Sequence, residues 1–367
     1  MAEPLKNLLN EAYFERLVSV FQAVYPAFDK AEFWRLLFDE QWEHRELKQR
    51  IRHVTHTLRR LLPADYPEAL GLLKQAAPHC SGLEAILFPD FVEVYGLDHW
   101  DASMEALELM TQYSTAEFAV RPFIAKDPER MMAQMLKWAG SGSEHVRRLA
   151  SEGCRPRLPW AMALEPLKRD PSPILPILEA LKRDESLYVR KSVANNLNDI
   201  SKDHPELVKS LAVRWHGEHP HTDWILKHAS RGLLRKGDPD MLALFGFESM
   251  DGIEVEGLEA GAQRLRIGDS LEFSFELVNR GTEPLKLRVE YGIDFVKANG
   301  RTSRKLFKIT ENTYRPGERV RFARRHAFAD LTTRRHYPGT HRIAVVINGA
   351  ELASAELVLL PAETSPL

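Results

Sequence analysis

The sequence predicts a mainly α protein, a solenoid of stacked helix pairs (an αα superhelix), followed by a C-terminal β-sandwich. Three observations carry this. First, one pattern occurs three times, at residues 146–152 (VRRLASE), 189–195 (VRKSVAN) and 225–231 (ILKHASR), with offsets of 43 and 36 residues. Self-similarity at such periods marks stacked helical units, because one unit cannot bury its apolar stripe alone. Second, apolar residues recur at helical spacing over most of the first 250 positions. Third, that spacing gives way to alternation after about Met250, as in LEFSFEL at 271–277 and KLRVEY at 286–291.

Taken in order, residues 5–25 read as an amphipathic helix ending before Pro26. Asp29 can cap a second helix from Lys30 to about Gln41. Residues 43–62 continue with Leu47, Ile51, Val54, Leu58 and Leu61 until Pro63. Further helices are expected at 66–77, 84–95 and 101–113. The regular array begins at 116–124. Residues 128–138 and 144–153 pair around the turn Gly140-Ser141-Gly142, Pro171-Ser172-Pro173 and His204-Pro205 open later pairs, and Gly237-Asp238-Pro239 closes the array. In the β part, further strands are expected at 304–309, 319–325, 341–347 and 353–360. Turn signals stand at Arg280-Gly281, Asn299-Gly300, Pro316-Gly317 and Asn348-Gly349. About seven short strands in that length point to an immunoglobulin-like sandwich. The expected domains are 1–248 and 249–367.

Bulk properties fit a soluble globular protein: 44% apolar, 28% charged, net charge −2. The charge is unevenly placed. Residues 1–142 sum to −6, residues 143–236 to +5 and residues 280–342 to +10. Two basic blocks behind an acidic start imply a polyanionic partner for the later part of the chain. Two distant cysteines, Cys80 and Cys154, give no disulfide framework. With no long apolar run and no signal-like N-terminus, a cytoplasmic location is expected, and two well-charged domains make a monomer the expectation.

Helical phase then sorts the repeat residues. Val146, Leu149, Ala150 and Gly153 share one side of their helix, whereas Arg148 and Glu152 share another. The corresponding face carries Lys191, Asn195 and Asp199 in the second unit, and Lys227, Arg231 and Arg235 in the third. Stacking would line these up as a cationic surface suited to phosphates, with two carboxylates set in it. Carboxylates oppose phosphate binding and so call for another reason, either chemistry or ordinary surface pairing of Arg148 with Glu152 and Lys191 with Asp199, worth about 0–1 kcal/mol each.

Three strings carry a family resemblance: EAILFPDFVEVYGLDHW at 84–100, AEFAVRPFI at 116–124 and VRKSVANNLNDISKDHP at 189–205. In these the chain resembles HEAT-like repeat DNA alkylation repair glycosylases of the AlkC type, relatives of the AlkD type, including the immunoglobulin-like domain of some members. The resemblance implies a monofunctional DNA N-glycosylase that excises cationic N-alkylated bases from duplex DNA without base flipping, in base excision repair. The implied substrates are 3-methyladenine and 3-methylcytosine, with 1-methyladenine as a further candidate. It implies no cofactor, no membrane and no obligate protein partner.

The resemblance also places catalytic carboxylates at Glu117, Glu152 and Asp199 and an aromatic at Trp160. Helical phase agrees independently for Glu152 and Asp199, but the repeat does not place Glu117. Arg148, Arg155, Arg157, Lys191, Lys227, Arg231 and Arg235 are the expected phosphate contacts. Arg334 and Arg335 in the sandwich are the expected contacts of a second DNA-facing surface, which would clamp the duplex against the array. His216, His219 and His221 lack a fourth ligand or cysteine partner, so no metal site is expected. Cys154 next to Arg155 reads as a small core residue rather than a reactive thiol. The competing reading is a non-catalytic HEAT-like scaffold that binds damaged DNA or a protein.

Overall fold

The computed structural model describes residues 3–247, 249–331 and 334–363. It forms two compact units, Met1–Ala229 and Ser230–Leu367. Among the described residues, no helix is long and apolar enough to cross a membrane.

The first unit is helical throughout. Its N-terminal segment departs from the expected single helix. A 3-10 turn, Leu5–Leu8, stops at Leu9, and Asn10 then caps a new helix, Glu11–Val24, by accepting the Tyr13 amide at 3.0 Å. An asparagine offers the backbone an alternative to helix here, which apolar spacing alone does not reveal. Asp29 caps Lys30–Leu37 and Asp65 caps Tyr66–Ala76 in the same way. The helix Leu47–Leu61 opens with a capping box between Glu46 and Gln49.

The repeated pattern corresponds to three helices, Glu144–Gly153, Leu187–Ile200 and Pro220–Ala229, with the middle one packed against both others. Their shared stripe is buried: Val146, Leu149 and Ala150, then Val189, Val193 and Leu197, then Ile225, Leu226 and Ala229. A polar latch fixes the register of the first two helices. Ser151 and Ser192 share a 2.6 Å hydroxyl hydrogen bond, and Asn196 donates to the Ser151 carbonyl at 2.8 Å. Glu152 and Asp199, which follow these residues, are set side by side as a result.

The second unit begins earlier than the change in composition. Helices Arg231–Arg235 and Pro239–Leu244 belong to the same compact unit as the sandwich. Lys286 donates to the Phe245 carbonyl at 2.8 Å and Asn348 to that of Phe247 at 3.3 Å. Arg231 and Arg235 therefore lie in a different unit from Lys227.

The strands are β1 (Ile253–Ala260), β2 (Arg264–Arg266), β3 (Ser270–Asn279), β4 (Leu285–Val296), β5 (Thr302–Tyr314), β6 (Arg319–Ala327), β7 (Gly339–Ile347) and β8 (Ala350–Leu360). They form two sheets in the orders β1-β3-β6 and β2-β8-β7-β4-β5. Among the described residues, only the β2–β8 pair is parallel. Inward residues such as Phe273, Phe275, Val289, Ile293, Ile343 and Val345 fill the core, so this immunoglobulin-like sandwich holds without a disulfide. The β7–β8 hairpin turns at Asn348 and Gly349, both with positive φ, the type I′ arrangement that matches strand twist.

Gly153 ends the helix that carries Glu152. A Cβ there would lie 2.5 Å from the Val120 side chain and 3.0 Å from that of Met135. Gly153→Ala gains about 1 kcal/mol of helix propensity but overpacks a filled site at a cost of about 1–3 kcal/mol. Net destabilisation by urea unfolding is the expected outcome, and a more stable variant would show that the contact relaxes freely.

Candidate active site

Five of the expected site residues, Glu117, Arg148, Glu152, Arg155 and Asp199, converge on a single row of charges. Arg148 pairs with Glu117 and reaches Glu152 at 3.4 Å. Arg155 donates from Nη1 to Glu152 Oε1 at 2.6 Å and from Nε to Asp199 Oδ2 at 2.8 Å. Lys202 Nζ closes the row at Asp199 Oδ1, 2.8 Å away. Acid and base thus alternate along Glu117, Arg148, Glu152, Arg155, Asp199 and Lys202. Glu152 is 5% exposed and Asp199 1%, while the Lys202 side chain remains 51% exposed at the end of the row.

Each member is placed by a different local device. Glu117 sits in a turn ahead of helix Arg121–Lys126, where the Thr115 hydroxyl donates to its carboxylate at 2.8 Å and accepts its amide at 3.2 Å. Arg148 also donates to the Thr115 hydroxyl, at 2.9 Å. Arg155 lies just past the end of its helix, which frees it to reach across to Asp199. Burial pulls the Arg155 guanidinium down, but its two carboxylates more than offset this and the net shift is upward.

Trp160 stands apart from the row. It is 62% exposed and holds a φ of 63°, a left-handed conformation that costs a non-glycine residue about 1–3 kcal/mol. The loop that presents it is tied at several points. The fully buried Arg121 donates to the carbonyls of Gly153 and Arg155, both at 2.9 Å, and of Met162 at 2.8 Å. Desolvation lowers the Arg121 guanidinium to about 10. Lys48, 112 residues away in sequence, donates to the Trp160 carbonyl at 2.9 Å and lies 4.5 Å from the Phe118 ring centroid. The half-exposed Tyr188 packs against Arg148 at 5.1 Å. Arg121, Lys48, Lys202 and Tyr188 were not singled out from sequence. The loop run Arg155-Pro156-Arg157-Leu158-Pro159 signals a rigid presenting segment, but nothing local points to residues so distant.

The expected phosphate cations fall into distinct groups. Arg148 and Arg155 are committed to the carboxylate row. Arg157 pairs with Asp203 at 2.6 Å and Asp199 pairs with Lys202, not with Lys191. Lys191 is exposed, and Lys227 half-buried, on the repeat helices. In the second unit Arg235 and Arg335 are exposed, Arg231 is half-buried, and Arg334 lies 4.6 Å from the Phe295 ring centroid.

Cys154 is fully buried, its thiol donates to the Ala150 carbonyl at 3.2 Å, and burial pushes it up to about 12, which makes it an inert core residue. His216 pairs with Asp223 at 3.2 Å. Among the described residues, no three His, Cys, Asp or Glu side chains are grouped to hold a metal.

Chemically, the row offers fixed negative oxygens in a partly dehydrated setting, with the Tyr188 ring against its Arg148 end. That combination can stabilise a cation developing at contact distance and hold a water molecule, since Glu152 Oε2 takes part in none of the bonds described.

Comparison with known proteins follows the same division. A family model described as DNA alkylation repair enzyme matches residues 108–233. One described as the C-terminal Ig-like domain of the uncharacterised protein YhaZ matches residues 254–361. The uncharacterized protein YhaZ of Bacillus subtilis (strain 168) is 54% identical over 345 residues, covering 94% of this chain and 96% of its own. The alkylpurine DNA glycosylase AlkC of Pseudomonas fluorescens, solved bound to DNA containing an abasic site analog, is 41% identical with a TM-score of 0.94, covering 98% of this chain and 100% of that one.

Removing Arg155 would leave Glu152 and Asp199 buried without their shared cation. Arg155→Met is expected to lose about 3–5 kcal/mol at neutral pH. Arg148 and Lys202 would remain beside the two acids, so the loss measures the shared central cation. Urea unfolding at neutral pH checks this, and wild-type stability in the variant would contradict it.

Proposed function

The chain belongs to the AlkC-type family of DNA alkylation repair glycosylases, and from that premise we propose that it excises cationic N-alkylated bases from double-stranded DNA while they remain in the duplex. 3-Methyladenine and 3-methylcytosine are the proposed substrates, with 1-methyladenine as a further one. The observation that carries this is the fixed row of carboxylates around Arg155, in a helical unit that also holds a tryptophan out in solvent.

Ring alkylation makes the base a cation that leaves readily, so no strong general acid is required. The N-glycosidic bond breaks with its electron pair going to the base, which neutralises the ring. The sugar becomes oxocarbenium-like and a water oxygen bonds to C1′, passing its proton to a carboxylate. Fixed anions lower this barrier because the charge they meet develops in the transition state. Asp199 is assigned to the sugar cation, with Glu152 and Glu117 orienting water. Trp160 would face the lesion, where cation–π attraction is worth about 0.5–2 kcal/mol.

Lys202 has a defined part in this scheme. Half exposed and bonded to Asp199 Oδ1, it can leave for a phosphate when DNA arrives and uncover that oxygen. Arg155 acts through the two carboxylates it holds and is a positioning residue. Lys191, Lys227, Arg157, Arg231 and Arg235 are assigned to phosphates, as are Arg334 and Arg335 from the second unit.

Asp199→Asn is expected to reduce release of 3-methyladenine from methylated duplex about 10²–10³-fold. It should bind duplex carrying an abasic site analogue at least as well as the wild type. Full-rate excision by this variant would remove Asp199 from the mechanism. Arg335→Glu should weaken duplex binding and flatten the dependence of log affinity on log salt by about one contact. An unchanged slope would take Arg335 out of the interface.

A further inference from the structure

We propose that an open groove on helix Leu47–Leu61 is a binding site for the phosphodiester backbone of the duplex, continuous with the site through Lys48. The proposal rests on duplex DNA being the partner. The groove has a volume of about 580 Å³ and is lined by Arg45, Lys48, Gln49, Arg52, His53 and His56. These residues recur at helical spacing, so they form one stripe, while Ile51, Val54 and Leu58 bury the opposite side. None of the six is acidic and none is apolar, which disfavours the oily ligands that enclosed pockets take. From Lys48 to His56 the stripe runs roughly 12 Å at helical rise. One DNA strand carries about three to four phosphates over that axial length.

The charges are arranged unequally. Arg45 is offset at the rim by Asp39, and Asp39 lies 3.8 Å from His53. The His53 ring Nε2 faces the Leu36 and Leu37 carbonyls at 3.1 and 3.0 Å, and His56 Nδ1 lies 2.7 Å from the Tyr95 hydroxyl. Arg52 is offset too, by Asp90 and Glu93, so the net positive charge offered to a ligand comes chiefly from Lys48, and Arg52 contributes a fixed hydrogen-bond donor. Arg52 is held from behind. Asp90, 5% exposed, takes its Nε at 2.9 Å and Nη2 at 3.0 Å, and Glu93 takes Nη2 at 2.7 Å. Nη1 takes part in none of these bonds, and the side chain is 39% exposed. A guanidinium fixed by carboxylates behind it and open in front is pre-set for a charge-assisted bond to a phosphate oxygen. Lys48 ties this stripe to the site, since the same ammonium holds the Trp160 carbonyl. The groove is open and elongated, which fits a continuous strand better than a free phosphate.

Gln49 provides the test. Its side-chain oxygen accepts the Glu46 amide at 2.8 Å as the third residue of the capping box, a position where glutamate serves equally well. Gln49→Glu therefore adds an anion to the groove with the cap intact, whereas Gln49→Lys adds a cation but gives up the bond from the Glu46 amide, so its folding is checked by thermal unfolding. Affinity for undamaged duplex would be measured by fluorescence anisotropy at low and high salt. At low salt Gln49→Glu should bind about three- to tenfold more weakly and Gln49→Lys more tightly, with the curves converging as salt screens the charges. Wild-type affinity in both variants at low salt would overturn the proposal. So would thermal stabilisation by inorganic phosphate that responds to the two substitutions while duplex affinity does not, which would mark a small-anion site. Release of methylated base by the wild type tests the glycosylase reading separately, so the two failures can be told apart.

Discussion

The guanidinium of Arg155, held between Glu152 and Asp199, is the contact on which the rest of the site depends. Burying three ionised groups is costly, and their mutual attraction recovers that cost only when the geometry is good and the remaining polar atoms are satisfied. The surroundings meet that condition. The Ser151–Ser192 and Asn196 hydrogen bonds fix the helices that bring the two acids together, and Arg121 holds the Arg155 carbonyl from below. An apolar cluster of similar volume would hold the helices at least as well. The charged row is therefore better understood through what its anions do than through the stability it provides.

Sequence revealed the scaffold and part of the site. The offsets of 43 and 36 residues identified the three helices that pack in a row, because repetition survives even when local propensity is weak. Helical phase put Glu152 and Asp199 on one face for the same reason. Phase did not reveal the partners. Arg148 does reach Glu152, its i,i+4 neighbour, but Asp199 takes Lys202 and an arginine 44 residues earlier that lies beyond the end of its helix. Phase has no meaning past a helix end. Lys48 and Trp160 are farther apart still, and only the tertiary fold joins them.

The second unit shows the same limit. Six strands were legible from alternation and turn residues. β1 was missed although IEVEGLEA alternates, because Gly257 and three glutamates weaken the strand signal and a bulge interrupts its pairing with β3. β2 has three residues, too few for any period. The sequence reads 231–235 as the continuation of the third repeat helix and closes the array at 237–239, so the separate helix at 239–244 is not anticipated. Nor is it legible that both belong with the sandwich, since local pattern says what an element is but not what it packs against.

Charge distribution adds a physical distinction that net charge conceals. An alternating row of three anions and three cations has almost no net charge, so its field falls off within a few ångströms and attracts nothing from afar. Such a row can favour a positive charge only at contact distance. Exposed cations such as Lys191 and Arg335 instead act over about a Debye length, roughly 8–10 Å at ordinary ionic strength. The acidic first 142 residues hide a cationic stripe on one helix, where carboxylates behind Arg52 fix its direction without filling its open side. A protein that must hold an anionic polymer and also favour a cation within it needs these ranges kept separate. Long-range attraction has to be positive and contact-range stabilisation negative, and pairing nearly every carboxylate of the site with a neighbouring cation is how one surface can supply both.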